Sequence, residues 1–287
     1  MSLTGEPETE APHVPAAQQR PQAPQAAAVL QRAGALPDAV RDALADLLLA
    51  LADDELVIGF VDSEWTGIAP LLEEDVAMSS LAQDELGHAR ALYELLGGLA
   101  GRDPDAIAYD RPPADFRHAC LLDGWRGEWA TTIARRYLYD TADAIRLEAM
   151  AGSSWRPLAE LVVKVRREET YHLLHAEAWL LRLADGGDVP RSRLVAALRT
   201  LGAEAWSVLE PLPGEPALLE AGVLPVASAE LDRRWRARIE PLLRSRGLPL
   251  PAAAPAGGLP RMVHGEAFDW LHGELTAVRR LDSTAAW

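Results

Sequence analysis

Two copies of the pattern Glu-x-x-His, 84 residues apart, restrict this chain more than anything else in it. They are Glu85-Leu86-Gly87-His88 and Glu169-Thr170-Tyr171-His172. Each lies in a long stretch of helical periodicity, Leu71 to Leu99 and Pro157 to Ala184. A three-residue step along a helix rises about 4.5 Å and turns about 300°, so the Glu and His of each copy leave nearly one face. Eighty-four residues is about two helices and a loop, the repeat of a duplicated αα-hairpin. One such tetrapeptide is a common accident of a solvated helix face. Two on equivalent long helices are much harder to obtain by chance, and in a four-helix bundle they would meet.

The rest of the periodicity agrees with an all-α chain. Leu44, Leu47, Leu48 and Leu51 form one stripe of a helix beginning near Pro37. Asp53-Asp54 reads as a restart, with an acidic first turn, for a helix running to about Thr66-Gly67. Gly97, Gly98 and Gly101, then Pro104, Pro112 and Pro113, close the first motif helix. Helix should resume near Asp115 or Trp125 and run strongly from Trp129 to Met150; the second motif helix follows and stops at Gly186-Gly187. Further helices are expected over about Arg191–Leu209, Ser228–Ser245 and Glu266–Arg279, with Ser228 as an N-cap and Pro241 as a kink. No segment reads as a strand. Residues 1–28, rich in Pro, Ala, Gln and Glu, bury too little to order and are expected to be a flexible tail before one helical domain over 29–287.

The bundle geometry calls for one further carboxylate on the helix before each motif. Glu64 is the candidate before the first copy, with Glu55, Glu73 and Glu74 competing. Asp140, among large apolar and aromatic neighbours, is the candidate before the second, with Asp143 and Glu148 as alternatives that suit pairing with nearby arginines. The predicted metal ligands are therefore Glu64, Glu85, His88, Asp140, Glu169 and His172. Four carboxylates and two imidazoles balance two divalent cations, and oxygen-rich donors with some imidazole suit iron or manganese. His175 could support His172 but fits a surface or hydrogen-bonded role better, while His118, His264 and His272 have no partner at ligand spacing.

Composition removes other classes. A formal net charge of -15 argues against a phosphate-backbone binder, so no nucleic-acid partner is expected. The longest apolar run, near Leu47–Ala52, is far too short to span a bilayer, and the N-terminus has no basic region followed by an apolar one. A cytoplasmic protein without membrane contact is the expectation. The single cysteine, Cys120, allows no internal disulfide and reads as a small buried hydrophobe. Nine tryptophans, among them Trp65, Trp125, Trp129 and Trp155, exceed the needs of one core and hint at a protein partner.

Several segments carry a resemblance. Ser63-Glu64-Trp65-Thr66-Gly67-Ile68-Ala69-Pro70, Leu72–Ala77, Thr132–Tyr137, Arg167–His172 and the region from Gly257-Gly258 to Trp287 resemble the PaaC subunits of bacterial phenylacetyl-CoA epoxidase, over roughly residues 36 to 287. The resemblance implies a ferritin-like four-helix bundle with additional C-terminal helices. It also implies a non-catalytic scaffold paired with a PaaA-like catalytic di-iron subunit, served by a flavin and iron–sulfur reductase, in a homo-dimer or hetero-oligomer that forms the ring 1,2-epoxide of phenylacetyl-CoA. Many PaaC members have lost metal ligands, whereas this chain keeps a full candidate set. Two other readings therefore stay open: an active di-iron oxygenase, and a metal-free helical interaction protein whose Glu and His residues pair with Arg90, Arg166 or Arg167.

Overall fold

Four long helices carry the apolar stripes and close on one another. The computed structural model describes residues 36–254, 261 and 263–282. The tail expected over residues 1–28 lies outside the described residues, as do residues 255–260. Helix α1 spans Asp38–Ser63 and α2 Leu72–Ala100; after a short α3, Pro104–Tyr109, come α4, Trp129–Met150, and α5, Arg156–Asp185. Helix α1 packs along α2 and α4 along α5, giving two αα-hairpins. Side chains tie the hairpins together, Glu74 to His175 across α2 and α5, and Asp62 to Arg136 across α1 and α4. Among the described residues there is no strand. The fold is an all-α, ferritin-like bundle.

The C-terminal helices buttress this bundle. They are α6, Asp188–Leu201, α7, Glu215–Glu220, α8, Ser228–Ser245, α9, Glu266–Leu275, and α10, Ala277–Leu281. Trp235 of α8 is fully buried against α4 and donates its indole N–H to Thr141 Oγ1 at 2.8 Å. Phe268 of α9 packs on Phe116 and His118 of the loop between α3 and α4.

Several local expectations are corrected. Asp53-Asp54 begins no new helix: α1 runs unbroken through Asp53, Asp54 and Glu55, all three buried. Successive helical residues point about 100° apart, so the unbroken buried run over residues 50–59, which contains the three acids, means a helix enclosed on every side. Each acid has its own partners. Asp53 accepts from Tyr93 Oη at 2.5 Å, from the Arg117 backbone N–H at 2.7 Å and from Arg111. Asp54 accepts from Arg146 at 2.9 Å, Arg261 at 2.8 Å and the Ala119 backbone N–H at 2.7 Å.

Residues 115–128 form loop and one-turn 3-10 segments, so α4 starts only at Trp129. Similarly, α6 ends at Leu201 and a 3-10 turn covers Ala205–Leu209. Ser228 is the first residue of α8, with Ala227 at the cap; the Glu215 carboxylate accepts the Ser228 N–H at 3.2 Å and caps the helix from outside. Pro241 breaks nothing, because it and Ala237, whose carbonyl it leaves without a donor, both face solvent. The last helix divides at Thr276.

Candidate metal centre

The two motif copies meet, each with its Glu and His buried. Helix α2 presents Glu85 and His88, α5 presents Glu169 and His172, and the imidazole centroids lie 6.1 Å apart. His88 Nδ1 faces Glu169 Oε1 at 3.3 Å, Glu55 Oε2 at 3.4 Å and Glu85 Oε2 at 3.6 Å. His172 Nδ1 faces Glu85 Oε1 and Glu169 Oε1, both at 3.2 Å. Glu55, Glu85, His88 and Glu169 each bring one ligand atom to within 4.8 Å of all the others.

Glu64 is not part of this cluster. It caps α1 at its C-terminal end, partly exposed, and pairs with Arg126 at 3.1 Å. Nine residues separate it from Glu55, about 13.5 Å of helix. The register of the hairpin sets the level: Gly59 abuts Ala82, Glu85 and Leu86, so the α1 residue beside His88 lies one turn earlier, at Glu55. The Tyr139 hydroxyl donates to Glu55 Oε1 at 3.1 Å and leaves Oε2 turned to the cluster.

Asp140 lies beside the cluster without entering it. Its Oδ1 accepts from Arg136 at 3.2 Å and its Oδ2 has no partner. Asp143, one turn on, is held by Arg146 at 2.5 and 2.8 Å. Arg136 is fully buried, donating from Nε to Asp62 at 2.5 Å and from Nη1 to Glu85 Oε1. Of the arginines expected as metal-free partners for the motifs, Arg90 instead pairs with Glu94 on the surface.

The outer faces of the histidines are held reciprocally. His88 Nε2 meets Glu168 Oε2 at 2.7 Å, and His172 Nε2 meets Asp84 Oδ2 at 3.3 Å. Each of those acids immediately precedes the Glu of the opposite motif. An imidazole that donates its outer N–H to a carboxylate turns its other nitrogen lone pair inward, the orientation a metal ligand needs.

The inner atoms have nothing else to bind. Glu55 Oε2, Glu85 Oε2, both oxygens of Glu169, His88 Nδ1 and His172 Nδ1 are buried without hydrogen-bond partners. Such an assembly is costly unless positive charge enters it. Burial alone would lower the pKa of His172, yet the carboxylates of Glu169 and Glu85 hold it up at about 11. His88 is raised in the same way, against burial, by Glu169, Glu55 and Glu85. Burial and the neighbouring Glu85 charge push Glu55 up, whereas Arg136 holds Glu85 down despite its burial. The donor set, carboxylate oxygens with imidazole and closed-off surroundings, fits a divalent ion such as iron or manganese.

A second cluster, His118, Asp123 and His264, escapes sequence reasoning because 141 residues separate Asp123 from His264. Asp123 Oδ1 meets His118 Nε2 at 2.9 Å and His264 Nδ1 at 3.0 Å. The two rings are stacked, 4.1 Å between centroids and 14° between planes. A ligating lone pair lies in its ring plane, so one ion cannot serve two stacked rings. This cluster clamps the C-terminal segment to the loop. His175 bonds Glu74 at 2.7 Å, and Cys120 is buried, its thiol pushed by burial up to about 11. No helix among the described residues is long and apolar enough to cross a membrane.

Comparison with known proteins gives these features a context. Residues 26–287 match the family model described as phenylacetic acid catabolic protein. The chain is 32% identical to the C subunit of 1,2-phenylacetyl-CoA epoxidase from Escherichia coli K12 over 192 residues, covering 67% of this chain and 77% of that protein. It is 23% identical to the A subunit of the same enzyme over 220 residues, covering 75% of this chain and 71% of that one.

Proposed function

Because the chain belongs to the family of phenylacetic acid catabolic proteins, we propose that it is the PaaC-like subunit of a phenylacetyl-CoA epoxidase. In this reading it is the structural partner of a PaaA-like catalytic subunit, in a cytoplasmic hetero-oligomer supplied with electrons by a reductase. The observation that carries the scaffold role is Arg136. Its permanent guanidinium charge lies against Glu85 and Asp140, so part of the ligand set is already neutralised by the protein itself. A centre that activates oxygen on two metals needs those carboxylates for the metals.

The surface supports a protein partner. Leu72 and Val76 on α2, and Tyr171 and Leu174 on α5, are large, apolar and mostly exposed, on the two helices that the Glu74–His175 bond joins. Apolar pairs left in water on both motif helices are compatible with cover by a partner. Iron or manganese, when bound, would supply redox or Lewis-acid chemistry; Glu55, Glu85, His88 and Glu169 would hold it, and Glu168 would orient the His88 imidazole.

Co-expression with a tagged PaaA-like subunit tests the assignment. The chain should co-purify with it. Oxidation of phenylacetyl-CoA should require both subunits and the reductase, with none from this chain and the reductase alone. Turnover by this chain and the reductase without a second subunit would identify it as an oxygenase in its own right.

A further inference from the structure

We propose that the centre takes one divalent cation rather than two, with Arg136 standing as a built-in positive charge in the half where a second would bind. The proposal rests on the reading of this cluster as a metal site and specifies its occupancy. Bundles with two Glu-x-x-His motifs offer two equivalent halves, a histidine and a terminal carboxylate in each, with the motif glutamates between. Here the halves are not equivalent.

The first half is open. His88 Nδ1, Glu55 Oε2, Glu85 Oε2 and Glu169 Oε1 converge from α1, α2 and α5, and none has a hydrogen-bond partner. Neighbouring donors stand 3.3–3.6 Å from His88 Nδ1, the spacing of atoms that share one ion at about 2.0–2.2 Å. Tyr139 holds the far oxygen of Glu55, and Glu168 holds the far nitrogen of His88.

The second half is occupied by protein. Its donors would be His172 Nδ1, Glu85 Oε1, Glu169 and a carboxylate of α4. Arg136 Nη1 already donates to Glu85 Oε1, the oxygen that His172 faces, and to Asp140 Oδ1 at 3.2 Å, the α4 carboxylate beside it. The guanidinium cannot withdraw easily: it is 1% exposed, rises from the middle of α4, and is anchored by Asp62 at 2.5 Å. It cannot lose its proton either. A divalent ion there would have to share two ligands with a fixed cation and sit against it.

The test is metal counting on the full chain. Protein stripped with chelator is titrated with Mn(II), free ion is read from its electron paramagnetic resonance signal, and bound metal is counted by elemental analysis after desalting. About one Mn(II) per chain, with the spectrum of an isolated ion, is expected. Glu55→Gln and His88→Gln should weaken binding at least tenfold, while His172→Gln and Asp140→Asn retain one ion with a smaller change. Arg136→Gln, checked for folding by circular dichroism, should raise the count toward two. Two ions per wild-type chain, or equal losses in His172→Gln and His88→Gln, would overturn the single-ion proposal and leave the metal reading intact. No Mn(II) bound at any concentration tested would overturn both.

Discussion

Gly59 offers a probe of the register that builds the centre. It lies on α1 one turn after Glu55, and a Cβ placed there would stand 2.8 Å from Glu85 Cβ and 3.2 Å from both Ala82 O and Leu86 N. Ordinary contact begins at 3.4 Å, so Gly59→Ala must part α1 from α2 by about 0.6 Å at this level. Overpacking of this kind costs about 1–3 kcal/mol, and the better helix propensity of Ala returns up to about 1 kcal/mol of it. Gly87→Ala supplies the control, because Gly87 sits on α2 two residues past Glu85, faces solvent, and has nothing within 4 Å of the point where a Cβ would stand. It gains the propensity without the clash. In urea unfolding, Gly59→Ala should therefore lie below Gly87→Ala by about 1–3 kcal/mol. Metal ligands tolerate displacements of only about 0.2 Å, so Mn(II) affinity should fall about tenfold or more in Gly59→Ala alone. Equal stability and equal affinity in the two variants would refute the helix spacing inferred here.

Other perturbations have equally definite outcomes. Arg146→Met removes the partner of Asp143 and one of the partners of Asp54, both fully buried, and should cost about 3–5 kcal/mol in denaturant unfolding. Trp235→Phe loses the indole donor to Thr141 Oγ1, which keeps its bond to the Tyr137 carbonyl, so a loss of only about 1 kcal/mol is expected. Asp123 is raised by burial but held down further, at about 2, by hydrogen bonds from His118, His264 and the Gly265 N–H. A folded pKa below the unfolded one means that this stabilisation is present above about pH 4 and fades as pH falls through about 2. The stability gap between wild type and Asp123→Asn should shrink accordingly between pH 6 and pH 3. Metal at 100 times its dissociation constant should stabilise the chain by about 2.7 kcal/mol, a gain that chelation removes and that Glu55→Gln, at the same metal concentration, should cut to about 1.4 kcal/mol or less.

How much of the fold and the centre is legible in the sequence depends on whether the signal is local. The motif helices and their meeting follow from two tetrapeptides and their spacing, because a three-residue step and a hairpin repeat are both properties of the chain itself. Glu64 against Glu55 is a question of register between α1 and α2. Composition cannot answer it, but the close approach of Gly59 to Glu85 can. Asp53-Asp54 reads as a helix start because acids favour first turns. It is instead the middle of a buried helix, stabilised by arginines 58, 92 and 207 residues distant, which no local pattern reveals. Arg136 is silent in the sequence for the same reason, since an arginine among apolar residues of α4 shows its role only once Asp62 and Glu85 arrive beside it. The acid before each motif glutamate is a usable signal: Asp84 and Glu168 stand at matching positions, and each holds the other copy's histidine.

Native mass spectrometry of this chain co-expressed with a PaaA-like subunit under iron or manganese supply tests the account most directly, because it reads association and metal content together. The expected result is a hetero-oligomer from which this chain dissociates carrying a single divalent ion. A chain that never associates with the second subunit, or one that leaves with two irons bound, would contradict it.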